Sequence, residues 1–155
     1  MTLKHSRGHE LQDHRSFKPE ARRMLLAAGF EVVLCEYVYA DVVAFRRVGN
    51  HIHVLSLELE RTTRNAVRNA RRDIGTGSDI VLEIGMTSAA TAAIARAIKD
   101  QFTPTEQSKV RIVAMPELTI DLLQGLNGDT GADPVVKGHS GAKRLEVIRK
   151  EVPRQ

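Results

Sequence analysis

One cysteine in 155 residues, no tryptophan and only 4% aromatic side chains set the first limits on this chain. A lone cysteine argues against a disulfide scaffold and against a cysteine-built zinc site, and it fits a reducing cytoplasm. Cys35 sits in the apolar stretch FEVVLCEYVY with no activating base evident, so it reads as a small core residue. The scarcity of aromatics argues against a single-strand binder built on stacking platforms. No apolar run approaches the roughly 18–20 residues that a membrane span needs. The first 23 residues are polar and charged and do not read as a secretory signal.

What is present points to a globular α/β domain. Apolar residues make up 42% of the chain, enough for a real core at this length. Net charge is +4 and the isoelectric point about 9.5, which leans toward a polyanionic partner without requiring one.

Residues 1–15 read as a flexible arm. SFKPEARRMLLAA (16–28) reads as a helix with Ser16 as its cap, Met24, Leu25 and Ala28 inward, and Gly29 at its end. Three strands follow, over 30–39, 41–47 and 51–60, the last two joined by a Gly49-Asn50 hairpin loop. TRNAVRNARRDI (63–74) reads as a helix closed by GTG. A strand over 78–86, a helix over 87–102 capped by Thr87 or Ser88, a strand over 109–115 and a helix over 116–126 complete a domain spanning 16–126. Residues 127–155 read as a basic tail. The order predicts one mixed sheet, an antiparallel meander plus a strand–helix–strand crossover, flanked by helices.

The chemistry gathers at the hairpin. With Gly49 and Asn50 as the loop, Phe45 faces Val54 and Asp41 faces Glu58. Opposed residues on paired strands have Cβ atoms about 4.5–5.5 Å apart. Glu60 shares that face because strand side chains alternate with period two. Three carboxylates so placed repel one another, and a hard divalent cation, Mg²⁺ or Mn²⁺, or nearby arginines would relieve them. Arg61, Arg64, Arg68, Arg71 and Arg72 recur at helical spacing on the segment that follows, where a stripe of arginines suits backbone phosphates.

This arrangement of Asp41, a hairpin, Glu58-Leu59-Glu60, a basic helix and another strand resembles the PD-(D/E)XK nuclease superfamily, with its restriction-endonuclease-like fold. The family order of helix, three antiparallel strands, helix and strand matches residues 16–84. The resemblance implies a metal-dependent nuclease that hydrolyses phosphodiester bonds in DNA. Asp41 and Glu58 would hold Mg²⁺ or Mn²⁺, and Glu20 would support the ion from the first helix. Ala40 stands where the motif has proline. Glu60 stands where the motif usually has lysine, an E-x-E variant in which the glutamate serves as base or second ligand. Inactive, purely binding members exist, so a non-catalytic nucleic-acid-binding or protein-assembly module on the same fold is the alternative. RNA stays open as a partner, and a homodimer or a place in a larger complex fits the cutting of two strands.

A plainer reading also stays open, in which Glu58 and Glu60 are strand-end acids paired with Arg61, Arg64 or Arg68. Other patterns are weaker. GHELQDH (8–14) has its second histidine one residue late for a zinc-protease helix. GHSGA (138–142) lacks the final glycine of a nucleophile elbow. GLNGDTGAD lacks EF-hand spacing. His51 and His53 alternate on their strand and read as a partly exposed sheet face.

Overall fold

A computed structural model of the chain describes residues 16–37 and 40–127. The arm over 1–15, the tail beyond Asn127 and the motifs GHELQDH and GHSGA lie outside the described residues, as does most of GLNGDTGAD.

The described residues begin with helix α1 (16–27). Strands β1 (Val32–Tyr37), β2 (Ala40–Val48) and β3 (His51–Glu60) follow, then helix α2 (Thr63–Thr76), strand β4 (Ile80–Gly85) and helix α3 (Ser88–Gln101). A single helical turn, α4 (Pro104–Gln107), strand β5 (Val110–Ala114), a 3₁₀ turn (Met115–Glu117) and helix α5 (Ile120–Leu126) complete it. The five strands form one sheet in the order β1-β2-β3-β4-β5. The first three pair antiparallel, while β3–β4 and β4–β5 pair parallel. This is the mixed α/β sheet that the sequence predicts.

Local chemistry sets the boundaries. Val48 pairs with His51 and Phe45 with Val54, so Gly49 and Asn50 form a two-residue loop. Gly49 has φ +60 and Asn50 does not have positive φ, the pattern of a II′ turn, whose twist suits the flanking strands. Thr62 caps α2 by accepting from the Asn65 amide at 3.3 Å. The helix runs through Gly75 and stops at Gly77, which takes the left-handed conformation at φ +110. Thr87, not Ser88, caps α3. Ser16 is already helical and so does not cap α1.

Two stretches depart from the expected elements. Residues 116–126 are not one helix: Pro116 lies in the 3₁₀ turn, and Thr119 then caps a fresh start by accepting from the Leu122 amide at 3.1 Å. The turn α4 has no counterpart among the expected elements, although TPTEQ carries the signature of its reciprocal cap, Thr103 with Glu106.

Side-chain alternation divides the sheet into two faces. One, formed by Val42, Ala44, Leu55, Leu57, Leu82 and Ile84, packs on α1 and α5 through Ala21, Leu25 and Leu123. The other packs on α2 and α3, where Val81 and Val110 meet Ala66, Ala70, Ile94 and Ile98. Alanines at positions 66 and 70 bring α2 close to the sheet. Covered on both faces, β4 is buried along its whole length, as parallel central strands generally are.

Two side-chain expectations are corrected. His53 is buried against Phe30, with ring centroids 6.3 Å apart, while His51 is exposed. Phe30, at the end of the α1–β1 loop, closes over the sheet there. Cys35 is exposed on the edge strand β1, two residues beyond the buried Val33.

The end of β4 meets the start of α3 with no spare room. A Cβ on Gly85 would lie 2.1 Å from Thr91 Oγ1 and 2.8 Å from the Thr91 backbone. Gly85→Ala is therefore expected to lower stability by about 1–3 kcal/mol. Urea denaturation checks this, and Thr91→Ala should not rescue it, because the backbone clash remains.

Candidate functional site: a buried carboxylate cluster

The β2–β3 register puts Asp41 beside the end of β3, where its Oδ2 accepts a hydrogen bond from the Leu59 amide at 2.9 Å. Glu58 and Glu60 follow on β3 with their side chains toward α2. The parallel partner of Glu58 on β4 is Glu83, so these two carboxylates stand side by side on adjacent strands. From α2, Asp73 faces the same space. Asp41 is half-buried and the other four acids are buried: Glu58 and Glu60 at 3% exposure, Asp73 at 1% and Glu83 at 0%.

Polar residues of α2 hold part of this cluster. Arg72 donates from Nη2 to Glu58 Oε1 at 2.8 Å, from Nε to Asp73 Oδ1 at 3.1 Å and from Nη1 to Asn69 Oδ1 at 3.1 Å. Asn69 in turn donates to Glu60 through a short hydrogen bond. Positions 69, 72 and 73 are three and four apart, so one helix face presents all of them to the strands. Further along β3, Ser56 and Ser78 share a hydrogen bond of 2.5 Å, and Asp79 accepts from the Val54 amide at 2.9 Å. Neither oxygen of Glu83 has a hydrogen-bond partner.

The carboxyls outnumber the positive charge that Arg72 brings, and their protonation follows from that. Burial pushes Glu58 up to about 11, reinforced by its hydrogen bond and charge repulsion with Asp73, while Arg72 pulls the other way. Burial raises Asp73 as well. Both carboxyls of the pair thus sit above the ordinary carboxylate range, and the Arg72 guanidinium opposes the rise in each. Burial lifts Glu60 to about 7, restrained by the hydrogen bond from Asn69. Glu83 is held well above the ordinary carboxylate range by burial first, then by the charges of Glu60, Asp73 and Asp41.

The five arginines do not act as one stripe. Arg64 and Arg68 are exposed. Arg72 turns inward to the acids. Arg71 bridges elements: it donates to the Gln101 carbonyl at 2.6 Å, lies 4.9 Å over the Phe102 ring and sits 3.6 Å from Glu106. Arg61 is half-buried. The partner that Glu58 finds is thus Arg72, not Arg61, Arg64 or Arg68.

Glu20 lies apart from the other acids. Helix α1 covers the opposite face of the sheet, and its inward stripe is Phe17, Ala21, Met24, Leu25 and Ala28. Glu20 is exposed there, paired with Arg23 at 2.5 Å, on the wall of an open cleft of about 730 Å³ shared with Met24, Met86 and Met115.

Asp73 and Glu83 complete the cluster, and neither stands out in the sequence. Each carries a faint signal: Glu83 interrupts the apolar run IVLEIG, and Asp73 lies one helical turn from Asn69. As the side chains stand, no three histidine, cysteine, aspartate or glutamate residues among those described form a group able to hold a metal ion. The reason is local, since Glu58 and Asp73 turn to Arg72 and Asp41 turns to the Leu59 amide. The donor set itself suits a hard divalent cation: several carboxylates, one with both oxygens unpartnered. No family model, no curated protein and no solved structure matches the chain.

Two outcomes follow for the metal-free protein. Arg72→Met leaves Glu58 and Asp73 without their counter-charge and is expected to cost about 3 kcal/mol, measured by urea denaturation. For Glu83 the sign is opposite. A carboxyl whose folded pKa lies above its ordinary 4.5 binds its proton more tightly in the folded state. It therefore withdraws stability as pH rises above that value. Glu83→Gln removes this penalty and should stabilise by about 1–3 kcal/mol at pH 8, with less gain at pH 5. Glu60 acts in the same direction between 4.5 and about 7.

Proposed function

We propose that this chain is a metal-dependent nuclease of the PD-(D/E)XK kind, acting on phosphodiester bonds in DNA. The observation that carries the reading is the convergence of Asp41, Glu58 and Glu60 on one sheet face at the end of the β2–β3 hairpin. The element order through β4 agrees with a restriction-endonuclease-like core. In this reading Asp41 and Glu58 hold Mg²⁺ or Mn²⁺, which supplies water activation and neutralises charge on the phosphodiester when bound.

Glu60 is the general base. Its pKa of about 7 is suited to taking a proton near neutral pH, and the Asn69 amide orients it. Arg64 and Arg68, exposed on the outer side of α2, hold backbone phosphates. Arg71 and Arg72, occupied within the fold, position neighbouring elements instead. Glu20 has no part in the ion site. A cytoplasmic setting and a homodimer or larger complex belong to the same reading.

One observation favours a second reading, a non-catalytic module that binds nucleic acid or a protein partner on the same fold. Arg72 already neutralises Glu58, the residue an ion needs.

Cleavage of supercoiled and linear DNA in Mg²⁺ or Mn²⁺ separates the two. The nuclease reading expects metal-dependent nicking that falls at least about 100-fold in Asp41→Asn and Glu58→Gln while both stay folded by circular dichroism. Absence of cutting in either metal, with retained salt-sensitive DNA binding, would select the binding module. In both cases replacing Arg64 and Arg68 by alanine should weaken DNA binding across sequences and lower the salt slope by about one per arginine.

A further inference from the structure

The reading above uses Asp41, Glu58 and Glu60 and leaves the most buried acid of the cluster without a role. Glu83 has 0% exposure, its two oxygens have no hydrogen-bond partner, and its strand register sets it directly beside Glu58. Adjacent strands lie about 4.8 Å apart, a separation that two carboxylates can span to share one cation. A buried acid left unpartnered is costly, and no side chain of α2 or α3 reaches it with a hydrogen bond. Arg72, by contrast, donates to Glu58 and Asp73 from the helix above.

We infer that Glu83 is an inner ligand of a divalent-cation site between β3 and β4, and that the Arg72 guanidinium holds the cation's place in the metal-free protein. The inference rests on the proposed metal-dependent reading and adds two residues to it. Ion and guanidinium are alternative neutralisers of the same acids. Binding of one weakens the hold of the other. Arg72 has the means to leave: its side chain is 28% exposed, whereas those of Glu58 and Asp73 are fixed at 4% and 1%. The arrangement also explains why Glu58, Glu83 and Asp73 do not close into a cation-ready group as they stand.

Titration of the full-length protein with Mn²⁺, followed by loss of the free-ion electron paramagnetic resonance signal, tests this without recourse to activity. Glu83→Gln should weaken Mn²⁺ binding at least about tenfold, although the same change stabilises the metal-free fold, so that loss of binding is not loss of structure. Glu83→Asp should recover part of the affinity. Arg72→Met should tighten Mn²⁺ binding about tenfold, and saturating Mn²⁺ should raise its thermal midpoint more than that of the wild type. Arg72→Gln provides the same comparison should the methionine variant not fold.

Mn²⁺ affinity in Glu83→Gln within twofold of wild type, or unchanged or weaker affinity in the Arg72 variants, would overturn the assignment. If binding is lost in Asp41→Asn and Glu58→Gln but kept in Glu83→Gln, this inference alone fails. If binding depends on Glu83 yet DNA is never cut, the nuclease reading alone fails. No Mn²⁺ binding by the wild type overturns both.

Discussion

The ion pair between Arg72 and Glu58 is the constraint around which this face of the sheet is arranged. Glu58 lies on the central strand of five, flanked by Leu57 and Leu59 that point into the opposite core. A carboxylate there has lost its water. Burial therefore favours its protonated form, and Arg72, donating at 2.8 Å, is the group that opposes this. The same guanidinium reaches Asp73 and, through Asn69, steadies Glu60. The pairing also fixes how α2 lies on the sheet. Residues 69, 72 and 73 must face the strands, so Ala66 and Ala70 supply the close approach and Arg64 and Arg68 are turned to solvent.

A structural purpose alone would be served by fewer acids. Apolar residues of similar size in place of a buried ion pair are often as stable or more so. This protein instead buries Glu83 beside Glu58 with nothing to accept from or donate to it. The neighbouring charges raise the cost further, since Glu60, Asp73 and Asp41 all disfavour its ionisation. Such concentrated, incompletely compensated charge is a common property of sites that bind or transform something. Among the described residues the opposite face of the sheet buries no acid: it is an apolar core between α1 and α5 with His53 packed on Phe30 at its margin.

Much of this was legible in the sequence because the signals are local. The Gly49-Asn50 loop allowed the β2–β3 register to be counted, and with it the meeting of Asp41 with the end of β3. Glycine and threonine placed the ends of α2 and α3. Where competing local signals lay close together, the boundaries moved: Thr119 restarted a helix that Pro116 had seemed to open, and Thr103 with Glu106 formed a turn too short to announce itself by periodicity. Arg64, Arg68, Arg71 and Arg72 share one helical face by spacing, while Arg61 precedes the cap of α2, and spacing cannot say which of them an adjacent acid will capture.

The sequence by itself determined the main helices and strands and the hairpin that joins Asp41 to Glu58, since each depends on neighbours a few residues apart, and their order pointed to a mixed sheet. Only the tertiary structure decided that Glu83 stands beside Glu58, because a parallel pairing is set through a helical crossover and leaves no turn from which to count. It alone decided that Arg72 and Asp73 face inward, that Arg71 is spent on Phe102 and Gln101, and that Glu20 lies across the sheet from the acids. The reason is common to all: burial and pairing of charge depend on which surfaces are pressed together, and long-range packing sets that.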